Sequence, residues 1–448
     1  MKTIMSTVGL LLFSLSSFAA STAFVNVNVV PMSTDEILHE RTVVVTDGRI
    51  AVIGKVDEVS LPVDAEVVDG TDRYLMPGLT EMHGHVPPAT SANLERIFSL
   101  FIANGVTTVR GMLGEPGHLE LRDAIRKGVV RGPRLITSGP SFNGQSVNGP
   151  KHASEMVRRQ QAAGYDFLKI HPGLSRDEFD AIAATADEAG IPFAGHVPED
   201  VGVEAALDAG IASIDHLDGY MQLLLPADVD PSGGFGGFFG LLIAGAALED
   251  RIPGVARATA DAGVWNVPTE SLFEHVTSPV PPGELADWPE MKYMPAETLR
   301  QWEQRKTEII GDPNYDPEVA ARAVELRRKL ILALSDAGAG LLLGSDSPQI
   351  FNVPGFALHR ELEYLVEAGL TPYEALATGT VNPARFFGLS GSVGAVQAGL
   401  EADLLLLDDN PLENIEATRR IHGVMLRGEW ISREDLDQLL ETFARQDQ

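Results

Sequence analysis

Between about residues 76 and 389, short apolar runs alternate with helical patterns eight times over. The candidate strands are 79–83, 106–113, 134–139, 167–171, 192–197, 213–217, 265–270 and 340–346, with helical stretches such as 94–103, 153–163, 176–189 and 203–209 between most of them. A strand followed by a helix buries one face of a parallel sheet, and eight such units predict a (β/α)8 TIM barrel of the α/β class. A doubly wound open sheet is the competing architecture, but no Gly-x-Gly-x-x-Gly follows the first strand. The barrel is the predicted fold.

Both flanks of this region have a different texture. Phe24–Val30 alternates, 42–46 and 49–53 are β-branched, and Asp47-Gly48 between them is a hairpin signal. Short apolar runs return at 403–407, 424–427 and 429–431. Chain ends often lie close together. Residues 24–75 and 390–448 are therefore expected to form one small β-sandwich domain beside a barrel spanning 76–389.

Residues 1–23 read as a secretory signal: Lys2 supplies a positive start, 8–18 is largely apolar, and small residues follow at Ala19, Ala20, Ser21 and Ala23. Ser17-Phe18-Ala19 and Ser21-Thr22-Ala23 both fit small-x-small cleavage. The apolar run is shorter than the ~20 residues that span a bilayer. The expectation is an exported protein, periplasmic or secreted, with no stable membrane insertion after cleavage.

Lys and Arg number 34 against 63 Asp and Glu, a net charge of −29. Such a surface repels phosphate backbones, so no nucleic-acid partner is expected. The chain has no cysteine, which removes disulfides, zinc ribbons, iron–sulfur clusters and thiol nucleophiles. Any metal has to be held by nitrogen and oxygen.

Polar residues cluster at the ends of the predicted strands. His83 and His85 form a His-x-His after the first, and residues two apart in an extended chain face the same side. His196 ends the fifth strand, His216 the sixth and Asp346 the eighth. Singly, each could be a satisfied core or loop residue. A closed barrel makes all five converge at one rim, and imidazole with carboxylate suits Zn²⁺ and its first-row neighbours. Lys169 lies in the apolar fourth strand, Phe167-Leu168-Lys169-Ile170-His171. A buried ammonium is costly, so this environment favours the neutral amine, which can take up CO₂ as a carbamate. The alternative is a lysine reaching out to a carboxylate.

This combination resembles the metal-dependent amidohydrolase superfamily, in particular its imidazolonepropionase-like and prolidase-like members. The likeness runs through Leu75-Met76-Pro77-Gly78-Leu79-Thr80-Glu81-Met82-His83-Gly84-His85 and Gly399-Leu400-Glu401-Ala402-Asp403-Leu404, and covers essentially the whole mature chain. It implies two divalent ions, zinc by preference. His83, His85 and Asp346 would hold one and His196 and His216 the other, with carboxylated Lys169 between them. It further implies hydrolysis of small-molecule amides by a hydroxide shared between the ions, with Asp346 as general base and then acid. Dipeptides, X-Pro and N-acyl or aryl-acyl amino acids are the expected substrates. Lactone, ester or phosphotriester hydrolysis on the same centre is the alternative, as is a binding protein that keeps only the fold. Tyr220 completes a His-x-x-x-Tyr with His216, and its phenol is a candidate donor to the oxyanion or to a substrate carboxylate. Arg110 and His152 are candidate contacts for an anionic substrate group.

Two stretches break the rhythm, the Gly/Phe-rich 232–242 and the proline-rich 278–297, after the sixth and seventh strands. Barrels keep their sites at that end. The first stretch is read as a lid or as a contact between subunits of a homo-oligomer.

Overall fold

Asp47 and Gly48 both take positive φ, 53° and 72°, the two left-handed residues that a tight hairpin turn needs. They join β2 (Leu38–Thr46) to β3 (Arg49–Lys55), with Thr46 opposite Arg49. A computed structural model describes residues 21–229 and 237–445 of the chain. Before this hairpin runs β1 (Ser21–Val29), and after it come β4 (Glu66–Asp69) and β5 (Tyr74–Pro77). The next strands are β6 (Leu79–Gly84), β7 (Val106–Gly111), β8 (Arg134–Thr137), β9 (Leu168–Ile170), β10 (Phe193–Gly195), β11 (Ser213–Asp215) and β12 (Trp265–Val267). The last are β13 (Leu404–Leu407), β14 (Ile421–Leu426) and β15 (Glu429–Ser432).

The two ends of the chain share one sheet. Its order is β15-β14-β13-β5-β1-β2-β3, with β4 also paired to β1, and β5 meets β13 antiparallel, Leu75 opposite Leu406. By hydrogen bonding this is one continuous eight-stranded sheet, where two facing sheets were expected. The reason is β1, whose nine residues pair with β4 at Thr22–Val25 and with β5 at Asn28–Val29. In β13, Leu404 and Leu406 pack with Phe24, Val43 and Met425, whereas Leu405 and Leu407 face the core under the helices. A strand apolar on both faces belongs between two layers. Ser21, Thr22 and Ala23, the last three residues of the stretch read from sequence as a signal, pair with Thr46, Val45 and Val44.

The central region is a TIM-barrel-like α/β fold beside this second domain. Strands β6-β7-β8 and β9-β10-β11-β12 form parallel sheets. Ser138 bridges Phe167 and Phe142 bridges Ile170, connecting the end of β8 to β9. The predicted eighth strand, 340–346, lies between β12 and β6: Leu342 N donates to Asn266 O (2.9 Å) and Met82 N to Leu343 O (2.8 Å). Its ladder is reduced to an isolated bridge between Leu341 and Asn266, and the chain bends at Asp346 (φ 59°). The proline-rich 278–297 is not shapeless. It folds into the short helices Pro282–Ala286 and Pro289–Tyr293, whose Leu285 and Met291 share an apolar cluster with Trp302 and Phe351. Part of the Gly/Phe-rich stretch, 232–236, lies outside the described residues. Among the described residues no helix is long and apolar enough to cross a membrane.

Candidate metal centre

Alternation along β6 and the residues just after it brings His83 and His85 to one rim. There they meet Asp346, and one ligand atom from each of the three lies within 4.8 Å of the others. His85 Nε2 is 2.6 Å and His83 Nε2 3.6 Å from Asp346 Oδ1, and His216 Nδ1 is 3.8 Å from Oδ2. The His216 ring centre lies 4.4 Å from that of His83 and 4.7 Å from that of His196. The four histidines and one aspartate predicted from strand ends are thus brought together.

Backbone strain accompanies this placement. His216 (φ 65°), Leu217 (φ 51°), Thr269 (φ 49°) and Asp346 (φ 59°) all occupy the left-handed region. Each such residue costs about 1–3 kcal/mol and persists only where its surroundings over-determine it. Arg327 is one such restraint: its guanidinium donates to His216 O, Pro268 O and Glu270 Oε2, each at 2.8 Å. It ties together the chain turns that carry His216 and Thr269.

The imidazoles are aimed from behind. His196 Nδ1 donates to Asp218 Oδ2 at 3.0 Å, and His216 Nδ1 is hydrogen-bonded to Thr269 Oγ1 at 2.8 Å. His83 Nδ1 lies 2.9 Å from Asp215 Oδ2, off the hydrogen-bond direction. For His196 and His216 the Nδ1 nitrogen is thus engaged, the kind of restraint that orients metal-binding histidines. Burial drives His83 and His216 well below the usual imidazole range, helped by the positive charges nearby, so both present neutral lone pairs.

Lys169 is fully buried, and its Nζ has no hydrogen-bond partner. Its nearest charged contact is Asp215 Oδ2 at 3.9 Å. Burial pulls the amine down to about 8, against the opposing pull of Asp215. Gly195 is needed beside it, since a Cβ there would sit 2.5 Å from Ile170 O and 3.0 Å from Lys169 Cδ. An orphaned amine whose pKa is lowered by burial, set among imidazoles and carboxylates, is what a carbamate shared by two cations would require. The nitrogen and oxygen donor set fits divalent metal ions.

Other candidates lie elsewhere. Tyr220 is buried, and its hydroxyl donates to Asn266 Oδ1 (2.8 Å) and meets Thr259 Oγ1 (3.0 Å). The phenol is used up inside the fold and burial raises its pKa. Arg110 is also buried, donating to Met82 O, Ser213 Oγ and Asp215. Phe167 and Phe386 stack on its guanidinium. Both readings as substrate contacts are corrected: each side chain turns inward, where its polar atoms find partners. His152, on the helix Gly149–Ala163, accepts from Asn148 N through Nδ1 and is partly exposed.

Residues that sequence reasoning passed over include Asp215, Asp218, Thr269 and Glu81. Ser213-Ile214-Asp215 has the period-two polarity of an inward face, which was a usable signal for Asp215. Buried Glu81 accepts from His83 N, Ser345 N and Ser345 Oγ, and burial lifts it to about 7. His171 stacks on His196 at 5.0 Å.

The amidohydrolase family profile matches residues 74–431. Adenine deaminase of Ruegeria sp. (strain TM1040) is 22% identical over 87% of this chain, which spans 54% of that protein's length. Ochratoxinase of Aspergillus niger is 24% identical over 85% of this chain and 80% of its own. A solved structure from Bifidobacterium longum, assigned as a prolidase, superposes with a TM-score of 0.70 at 25% identity, over 95% of this chain and 99% of that one. The chain belongs to the amidohydrolase family, whose members are generally metal-dependent hydrolases.

Proposed function

We propose that this chain is an exported hydrolase with two divalent cations, most simply zinc, that cleaves amide bonds of small molecules. Its substrates on this reading are dipeptides, X-Pro or N-acyl and aryl-acyl amino acids. The observation that carries the reading is the meeting of His83, His85 and Asp346 within 4.8 Å, next to the unpartnered buried amine of Lys169. The prolidase assignment of the Bifidobacterium longum structure points to the same bond type.

On this account His83, His85 and Asp346 would hold one ion and His196 and His216 the other. Lys169, as its carbamate, would add oxygen donors, within eight strands that close into a barrel. Bound cations of this class polarise a carbonyl and lower the pKa of water toward neutrality. Asp346 takes the proton of the attacking water and returns it to the leaving nitrogen. Asp215, Asp218 and Thr269 keep the imidazoles aimed. For export, cleavage after Ala19 leaves β1 whole, whereas cleavage after Ala23 removes three residues that pair with β2. N-terminal sequencing of the exported protein distinguishes the two.

The test is a screen of the zinc-loaded protein with N-acyl amino acids, dipeptides, their C-terminal amides, lactones and adenine. Turnover of carboxylate-bearing amides, reduced by amidating the carboxylate, is the expected result. Turnover confined to lactones or adenine would overturn it.

A further inference from the structure

We infer that a cavity of about 280 Å³ beside His85 is the subsite that receives the substrate's carboxylate, and that Arg96 is the group that binds it. The inference rests on the amide-hydrolase reading and names the residue that reading lacks, since the donors of Arg110 and Tyr220 are already used.

The cavity opens among segments that follow β6, β7, β12 and the eighth extended segment, the same end as the histidines. Its lining includes His85, Leu113, Glu115, Met294 and Pro348 together with Arg96. His85 is the imidazole 2.6 Å from Asp346, so the cavity adjoins the reacting centre directly. Its walls are mostly apolar, and the charged side chains on it are Arg96 and Glu115.

Arg96 lies on the helix Leu94–Ala103. Its Nη1 donates to Asn93 Oδ1 at 2.6 Å and its guanidinium lies 5.6 Å from the Phe443 ring centre. Its Nε is buried without an acceptor. Among the described residues no carboxylate lies within ion-pair distance of Arg96, although the chain carries 63 acidic side chains. A guanidinium offers a planar fork that fits a carboxylate. Apolar walls with one such fork fit the carboxylate-bearing half of an N-acyl amino acid.

The experiment uses 3-phenylpropionate and 3-phenylpropionamide as probes, titrated calorimetrically into the zinc-loaded protein. The acid is expected to bind wild type on the order of 10- to 100-fold more tightly than the amide, the range of one charge-assisted hydrogen bond. Arg96→Gln removes that preference, Arg96→Lys restores part of it, and Glu115→Gln strengthens acid binding by taking a negative charge from the same cavity. Equal binding of acid and amide to wild type overturns the inference. So does an acid preference that survives Arg96→Gln, which would place the carboxylate on the metal. Neither result depends on turnover. If the screen shows no amide hydrolysis while Arg96-dependent acid binding holds, the activity falls and the subsite stands.

Discussion

The ring of Phe239 lies face to face with that of His216, centres 4.7 Å apart and planes 15° from parallel. Phe239 has left-handed backbone (φ 47°), and its ring also stacks near His196 at 6.2 Å. It therefore covers one side of the imidazole pair proposed to hold the second ion. An aromatic pair contributes about 0.5–1.5 kcal/mol beyond its buried area. Phe239→Ala is expected to lower kcat/KM on aryl-acyl amino acids about 2- to 10-fold with metal content unchanged. Loss of metal from the variant would show that the ring holds the imidazoles in place.

Arg110 should matter for folding. Replacing it by Met leaves Asp215 buried without its guanidinium, a change that costs about 3–5 kcal/mol. Urea denaturation of Arg110→Met is expected to show a loss of that order. A variant as stable as wild type, with raised KM, would instead support the substrate contact expected from sequence.

Tyr220→Phe removes the donor to Asn266 and the partner of Thr259. Stability should fall by about 1–3 kcal/mol, while kcat/KM stays unchanged. A large fall in kcat at unaltered stability would return the phenol to the active site.

His275 sets a pH dependence. It is buried, its Nδ1 donates to Asn352 Oδ1 at 2.9 Å, and burial pulls its pKa to about 3 from an ordinary 6.5. The unfolded chain therefore binds more protons than the folded one between pH 6.5 and 3. The stability His275 contributes is present above 6.5 and is lost as pH falls through this window, by at most about 1.4 kcal/mol per pH unit. Denaturation of wild type and His275→Gln at several pH values should show a shallower fall for the variant. Parallel curves would mean that His275 does not titrate this way.

The strand ends were readable because each places a polar residue after an apolar run, as in Ala194-Gly195-His196 and Leu343-Gly344-Ser345-Asp346. Where side chains turn was less readable. Arg110 and Tyr220 stand beside strand ends as the ligands do, but their partners Asp215 and Asn266 come from strands more than 40 positions away. Asp218 and Thr269 acquire meaning only once they meet His196 and His216. Arg96 had no signal, since an arginine on an amphipathic helix reads as a solvated charge. The continuous sheet of the second domain depends on β1 serving two neighbours along one side, which composition does not disclose.

Metal content measured on purified protein supplied with Zn²⁺ tests the central claim most directly. Wild type should carry about two ions per chain, and Lys169→Ala one or fewer while remaining folded, because the buried amine is the group proposed to join the two sites. Wild type that binds no zinc, or Lys169→Ala that keeps two ions, would contradict the account.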